Sequence, residues 1–280
     1  MRVAVCTMSY NEDITLPIWV KYYGGLFGRK NLFIIDHGST DGSTDGIHGV
    51  NVMKLPRTPF SDIKRSKMVS DLCDNLLNFY DYFIYTDTDE FLCVNPEKYK
   101  DLKDYIQKVD PEYETAIGLN LFHSFEQEPE FNASRRVLSQ RDYVYFMASM
   151  CKTLVTKTPT RWGGGFHTCD KHQKFGEVYN FHIKFMDRGI ALDRLRVLRD
   201  IPREGDFGTH QMIPDLELVK MYDQINSRRR GDDFEFTVNI EELLSFVELN
   251  SSGNYAYNLD YRGNTPYHLR RIPDAFKGIF

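Results

Sequence analysis

No stretch of this chain stays apolar for the length that a bilayer crossing needs, so an α-helical membrane span is excluded on sequence grounds. The opening residues are apolar but turn polar at Ser9-Tyr10-Asn11-Glu12-Asp13, too early for a secretion signal. There is no CxxC pair. The five cysteines, Cys6, Cys73, Cys93, Cys151 and Cys169, are an odd number in a 280-residue chain, which argues against a disulfide framework and for a reducing compartment. Basic charge is not in excess: 35 Lys and Arg face 40 Asp and Glu, which makes a nucleic-acid partner a poor expectation. The run Arg228-Arg229-Arg230 reads as a solvated helix end. The phosphate-cradling GxxxxGK[ST] loop is missing, as are repeats and low-complexity linkers. The expectation is a cytoplasmic protein, free to dock peripherally on the inner face of a membrane.

What the sequence does contain is alternation. Val3–Met8, Leu32–Ile35, Val50–Leu55 and Tyr82–Tyr85 are short apolar runs that read as buried strands. Between them, Asp13–Tyr23 and Ser61–Asn78 carry apolar residues at helical spacing, and Gly24-Gly25 and Gly28 punctuate the first. Such alternation implies an α/β fold with a mostly parallel central sheet flanked by helices, whose ligands bind at the carboxyl ends of the strands. Three polar clusters fall at those ends: SYNED, DHGSTDG and DTDEF. Beyond Leu92 the pattern is less regular. A helix is expected at Tyr99–Val109 and strands at Thr115–Phe122, Val144–Phe146 and Lys152–Thr156. TRWGGGFHTCDKH reads as a glycine-rich loop, Val178–Phe185 as a strand or the start of a helix, and Pro214–Arg229 and Ile240–Leu249 as amphipathic helices.

The cluster at the end of DYFIYTDTDEFL poses a physical problem. Burying unpaired carboxylates costs several kcal/mol each, so something positive is expected beside Asp87, Asp89 and Glu90. Alternate residues of an extended chain point the same way, which lets Asp87 and Asp89 face one hard divalent cation such as Mg²⁺ or Mn²⁺. Water and substrate phosphates commonly complete such a site. The plain reading is a solvated turn, with Glu90 opening the next element.

On these motifs the chain resembles the family-2 glycosyltransferases, inverting enzymes with a GT-A nucleotide-sugar fold. MSYNED and FIIDHGSTDGS resemble the family's first two strand ends, and IKRSKMVSDLCDNLLNFYDYFIYTDTDEFL its helix and DxD strand. The Asp-Glu-Phe ending, with MCKTLVTK, GGFHTCD and FHIKFMDRG further on, is similar to a family-2-like subgroup related to family 92. The resemblance is clear from Met1 to about Leu92, looser to about Asp187, and absent thereafter.

The resemblance implies roles. Asp36 would contact the base or ribose of the nucleotide, with Asn11 and Glu12 near the base. Asp41 would brace its turn, and Arg65 would face the diphosphate. Asp87 and Asp89 would hold the metal and sugar diphosphate, and Glu90 would support them. His182 would add a metal ligand, with His167 as second choice, and Lys184 would face phosphate. The catalytic base would be Asp170, after GGGFHTC, or Glu126 in HSFEQEPE. Donor and acceptor would be a nucleotide-diphosphate sugar and a glycan or lipid-linked glycan. Residues 1–200 would form the catalytic domain, its nucleotide-sugar half at about 1–95 and its acceptor half at about 96–200, with a helical extension at 201–280. Three alternatives stand beside this reading: a metal-dependent nucleotidyl- or phosphotransferase, a non-catalytic sugar-nucleotide module, and a structural zinc site at His167, Cys169, His172 and His182.

Overall fold

The computed structural model describes residues 1–204, 211–233, 247–252, 255–261 and 268–280. Strands β1 (Val3–Ser9), β2 (Leu32–Asp36), β3 (Asn51–Lys54) and β4 (Tyr82–Tyr85) lie side by side in the order β4-β1-β2-β3, all parallel. Val3, Ala4, Val5 and Cys6 are all buried, so both faces of β1 need cover, as central parallel strands do. Helix α1 (Thr15–Phe27) supplies part of it with Leu16, Trp19, Val20, Tyr23 and Phe27, a stripe at helical spacing. It runs through Gly24-Gly25, the expected end, and stops at Gly28, whose φ of 87° suits glycine. Helix α2 (Asp62–Leu76) begins at Ser61, whose hydroxyl accepts from the Lys64 N–H at 3.4 Å.

From β5 (Glu90–Val94) onward, antiparallel pairing enters. β5 pairs with β9 (Phe175–His182), and β9 runs parallel to β6 (Tyr113–Phe122). The 175–182 segment is thus strand throughout. β7 (Tyr143–Phe146) and β8 (Thr153–Thr156) pair with β6, and β8 also joins β4, which links the two halves in one sheet. Helix α3 (Leu102–Val109) starts later than expected because Asp101 caps it, accepting from the Asp104 N–H at 2.9 Å.

Helix α4 (Arg188–Arg199) has no counterpart in the sequence-based expectations, because only Ala191 and Leu195 are buried in a highly charged segment. Its start is fixed by Asp187. One carboxylate oxygen accepts from the N–H groups of Gly189 and Ile190 at 2.9 and 3.1 Å. The other accepts from Phe131 N–H at 2.9 Å and from Arg141 Nη2 at 3.3 Å. Arg141 is 0 % exposed, so Asp187 holds both a helix and a buried cation.

Helix α5 (Asp215–Asn226) falls where expected. A helical extension is expected over 201–280, but strands make up much of the remainder of its described residues, with a short 3-10 turn at Asp274–Phe276. β10 (Arg230–Asp233) and β13 (Leu269–Arg271) extend the central sheet through β7, and β11 (Val247–Ser252) pairs with β12 (Tyr255–Tyr261). Of the helix expected at 240–249, residues 247–249 belong to β11 and 240–246 lie outside the described residues. The strict alternation Tyr255, Tyr257, Leu259, Tyr261 is the strand signal in that tail.

Replacing Asp187 with Ala takes the nearer of two carboxylates from buried Arg141, leaving Glu128 at 4.0 Å, and removes the cap of α4. The expected loss is about 3–5 kcal/mol in urea unfolding, and an unchanged midpoint would refute this account of the junction.

Candidate functional site

The strand ends converge on a cavity of about 230 Å³ lined by residues from both halves of the sheet, among them Tyr10, Glu12, Arg65, Asp87, Asp89 and Lys184. Strand register explains the convergence. In β5–β9 pairing Glu90 lies opposite His182, and in β6–β9 pairing Asn120 lies opposite His182. Ile183 N–H donates to Asp89 O at 2.8 Å, which fixes the turn before β5 against the end of β9. In β4–β8 pairing Ile84 faces Val155, so continuing that antiparallel register brings Lys152 beside Asp87.

The acidic cluster is met first by the protein's own cations. Arg65 Nη2 donates to both Asp87 oxygens at 2.8 and 3.1 Å, and the Tyr85 hydroxyl donates to Oδ1 at 2.9 Å. Lys152 Nζ donates to Glu90 Oε1 at 2.6 Å and lies 3.7 Å from Asp87 Oδ2. Burial pushes the Lys152 ammonium toward losing its proton, but Glu90 and Asp87 outweigh it and raise its pKa. Glu90 and Lys152 side chains are 1 % and 3 % exposed, so either alone would be a buried unpaired charge.

Asp89 is arranged differently. Its Oδ2 lies 3.2 Å from His182 Nε2, while His182 Nδ1 lies 2.6 Å from Asn120 Oδ1. An amide oxygen can only accept, so Nδ1 carries the proton and Nε2 is the nitrogen turned toward Asp89. Burial would raise the Asp89 pKa, but His182, then Lys184 and Lys152, hold it well below the usual carboxylate range.

This pair satisfies a simple test for a divalent cation. Two ligands about 2.1 Å from an octahedral ion sit roughly 3 Å apart, close to the Asp89–His182 spacing. A ligating histidine also typically donates its other N–H to an oxygen, as His182 does to Asn120. Asp87, expected as a joint ligand, is instead drawn to Arg65. Among the described residues no three His, Cys, Asp or Glu side chains gather to hold one ion. The protein ligands at hand are therefore two, and the zinc grouping of His167, Cys169, His172 and His182 is not formed.

Other expected residues divide. Glu12, Arg65 and Lys184 line the cavity with Asp87, Asp89 and His182. Glu12 is held by Arg194 of α4, which also donates to the carbonyls of Asn11 and Tyr10 at 2.7 and 3.1 Å. Asn11 sits at φ 50°, a left-handed turn that asparagine tolerates, and its amide oxygen accepts from Thr40 N–H at 2.8 Å. Asp36 is 2 % exposed and turned inward. Its oxygens accept from Ser39 N–H at 2.8 Å and Thr44 Oγ1 at 2.7 Å, bonds that outweigh burial and lower its pKa. It braces the DHGST turn and does not line the cavity. Asp41 braces the same turn through Ser43 N–H at 2.9 Å.

The two expected bases do not reach the cleft. Asp170 is exposed and accepts from Arg161 N–H at 2.9 Å, closing the turn next to the Trp162–Cys169 bridge. Glu126 is exposed in the loop after β6 and does not line the cavity.

The sequence reading passed over His37, Arg57, Lys152, Arg194 and Arg203, all of which line the cavity. Arg57 lies flat on Tyr10, 3.7 Å from ring centre to guanidinium carbon, and bonds His37 Nδ1 at 3.1 Å. Gly38 permits this approach: at φ 75° a β-carbon there would stand 2.8 Å from Arg57 N. Lys184 makes no ion pair among the described residues. Buried donors of Arg57 (Nη2) and Arg203 (Nε and Nη1) likewise have no partner there. Of these residues only Lys152 carried a signal, as a lysine inside the apolar run MCKTLVTK.

Burial raises the Glu12 pKa to about 7 despite the opposing effect of Arg194. The folded value exceeds the unfolded one, so the folded state holds the extra proton between them, and stability falls as pH rises from about 4.5 to about 7. Glu12→Gln is expected to flatten that decline in urea melts at stepped pH. An equally steep slope in the variant would show that another group causes it.

No protein-family model and no curated protein matches this chain. Several solved structures overlap it loosely. The S. aureus TarS fragment 1–349 in complex with UDP is 10% identical, with 80% of this chain and 70% of that one covered, at a TM-score of 0.36. Glucosyl-3-phosphoglycerate synthase from Mycobacterium tuberculosis, with Mn²⁺, UDP and glucosyl-3-phosphoglycerate, is 13% identical over 93% and 87%, at 0.33. CMP:2-keto-3-deoxy-manno-octonic acid synthetase complexed with CTP is 9% identical over 79% and 86%, at 0.31.

Proposed function

We propose that this protein is a glycosyltransferase of the family-2-like, DxDEF-containing subgroup. In this reading it moves a sugar from a nucleotide-diphosphate sugar to a hydroxyl of a glycan or lipid-linked glycan, with Mn²⁺ or Mg²⁺ as cofactor and inversion at the anomeric carbon. One observation carries the reading. Asp89 and His182 offer two ligand atoms 3.2 Å apart, in a cleft where buried guanidinium N–H groups of Arg57, Arg65 and Arg203 have no partner among the described residues. Such a place suits a cation shared with a polyanion.

The cofactor, when bound, would stabilise negative charge on the leaving diphosphate. The chain's own groups do the rest. Asn120 holds the His182 ring so that Nε2 faces Asp89. Lys184, Arg57 and Arg203 offer N–H donors to phosphate oxygens, a fixed arrangement that strengthens as water is displaced. The Tyr10–Arg57 stack, with His37 beside it, offers the planar wall for a nucleobase. Asp87 keeps Arg65 and Lys152 in place, so that their charge faces the cleft without being free to bind phosphate tightly.

Asp89→Asn tests the assignment. The amide keeps the shape but weakens cation binding. Nucleotide release from a panel of UDP-, GDP- and CMP-sugars with Mn²⁺ is expected to fall about 10²-fold, with the unfolding curve shifted far less. Turnover at the wild-type rate in chelator-treated buffer would sink the site. Pyrophosphate release from nucleoside triphosphate plus sugar phosphate would assign the cleft to nucleotidyl transfer instead.

A further inference from the structure

Away from the cleft, a second and larger cavity of about 890 Å³ runs along the outer side of α1. Its walls are largely apolar: Ile14 at the start of α1, Ile18 and Leu26 within it, Val94 at the end of β5, Leu102 at the start of α3, and Val137 and Ile279 from the facing segments. Its volume falls in the range of sites that enclose a small-molecule ligand. An apolar trough of this size left to water is unfavourable, because covering apolar surface removes it from water.

The charged groups at the trough decide what covers it. Lys21, Lys100, Arg135 and Arg136 line it, all exposed, and none makes an ion pair among the described residues. The acids there are Asp13 and Asp101, and Asp101 is engaged in capping α3 through Asp104 N–H at 2.9 Å. Cations thus outnumber acids around this opening although the chain as a whole has a formal net charge of −5. Elsewhere exposed cations are commonly paired within the chain, as Lys67 is with Asp71 and Lys108 with Asp104. Free cations rimming an apolar trough match a molecule with an anionic head and an apolar tail.

We propose that this trough docks the protein on a bilayer by lodging one acyl chain of an anionic phospholipid, whose phosphate lies among Lys21, Lys100, Arg135 and Arg136. A surface of scattered basic residues would hold the membrane by charge alone. The trough adds a chain-sized apolar contact, so binding depends on both. The inference stands apart from the cleft and its chemistry.

Sedimentation with vesicles tests it on the full chain without any nucleotide. The protein is expected to partition onto phosphatidylglycerol-containing vesicles and not onto pure phosphatidylcholine. The double variant Arg135→Glu, Arg136→Glu is expected to weaken that partition about tenfold or more. Gly25→Gln probes the apolar part without changing charge. A β-carbon at Gly25 meets nothing within 4 Å, so a longer side chain enters the trough without disturbing the fold. It is expected to weaken binding several-fold with an unchanged circular dichroism spectrum. Ile18→Asn makes the same floor polar and serves as a second probe of the apolar contact. Partition that is absent, or equal on neutral and anionic vesicles, overturns the proposal. So does binding lost on charge reversal but untouched by both floor variants, which would reveal adsorption by charge alone.

Discussion

Three carboxylates at the end of one buried strand are tolerable only if positive charge reaches them from elsewhere in the fold. That constraint organises the site. Arg65 comes from α2, Lys152 from the approach to β8, and His182 from the end of β9, so three separate elements must dock on β4 before the acids can be buried. Bringing ions out of water costs several kcal/mol each, and removal of either partner exposes that cost in full. The cluster therefore acts as a lock between the parallel half of the sheet and the antiparallel half. Lys152 is central to it, because it touches both Glu90 and Asp87 from a strand that bridges the two halves.

The same constraint separates two roles that look alike in sequence. Asp87 and Asp89 are chemically identical and stand at alternate positions, yet their surroundings divide them. Asp87 receives a guanidinium and a phenol, which satisfy its oxygens within the protein. Asp89 receives one imidazole nitrogen, itself aimed by Asn120 across the β6–β9 register. One carboxylate is held as a counter-ion and the other is left able to share its oxygen with a cation. A variant at Asp87 would therefore disturb folding first, whereas a variant at Asp89 would disturb binding first.

Much of the first half was legible because its signals are local. β1, β2, β4 and α2 are marked by apolar runs, turn residues and a serine cap, all within a few residues of the boundaries they set. That these strands run parallel followed from alternation; their order did not. The second half resisted for physical reasons. α4 carries five charged residues and few buried ones; Asp187 caps it locally, but the bonds that fix it to the sheet, Asp187 to Arg141 and Phe131 and Arg194 to the first strand end, cross long stretches of chain. Strands β10, β12 and β13 are short or half-polar, and β10 and β13 gain their place from neighbours distant in sequence. The site divides in the same way. DTDEF and the histidine of FHIKF were readable as polar groups at strand ends, and the fold brings them into one cleft. Asp36 was readable as a strand-end acid, but not as one whose oxygens both turn inward. Of the cleft arginines only Arg65 was named from sequence; Arg57 and Arg203 follow prolines in short loops and Arg194 lies in the charged α4, with no local signal to mark them.

Arg194 shows how the halves are coupled at the site itself. From α4 it bonds the carbonyls of Tyr10 and Asn11 and the carboxylate of Glu12, so the first strand end is fixed by the fourth helix. Glu12 in turn bonds the Thr15 hydroxyl at 2.7 Å, and Thr15 lies 3.0 Å from Thr88, between the two aspartates of the DxD segment. A chain of polar contacts thus runs from α4 through the start of α1 to the acidic turn. Charge brought to any point on it is felt at the others: Asp89 raises the pKa of Glu12, while Arg194 lowers those of Glu12 and Lys184. An anion entering the cleft would add its charge to this same network. By favouring the cationic form of Lys184, it would tighten the cation-rich wall against itself. The cation-rich wall would thus hold its charge more firmly with an anion in the cleft than without one.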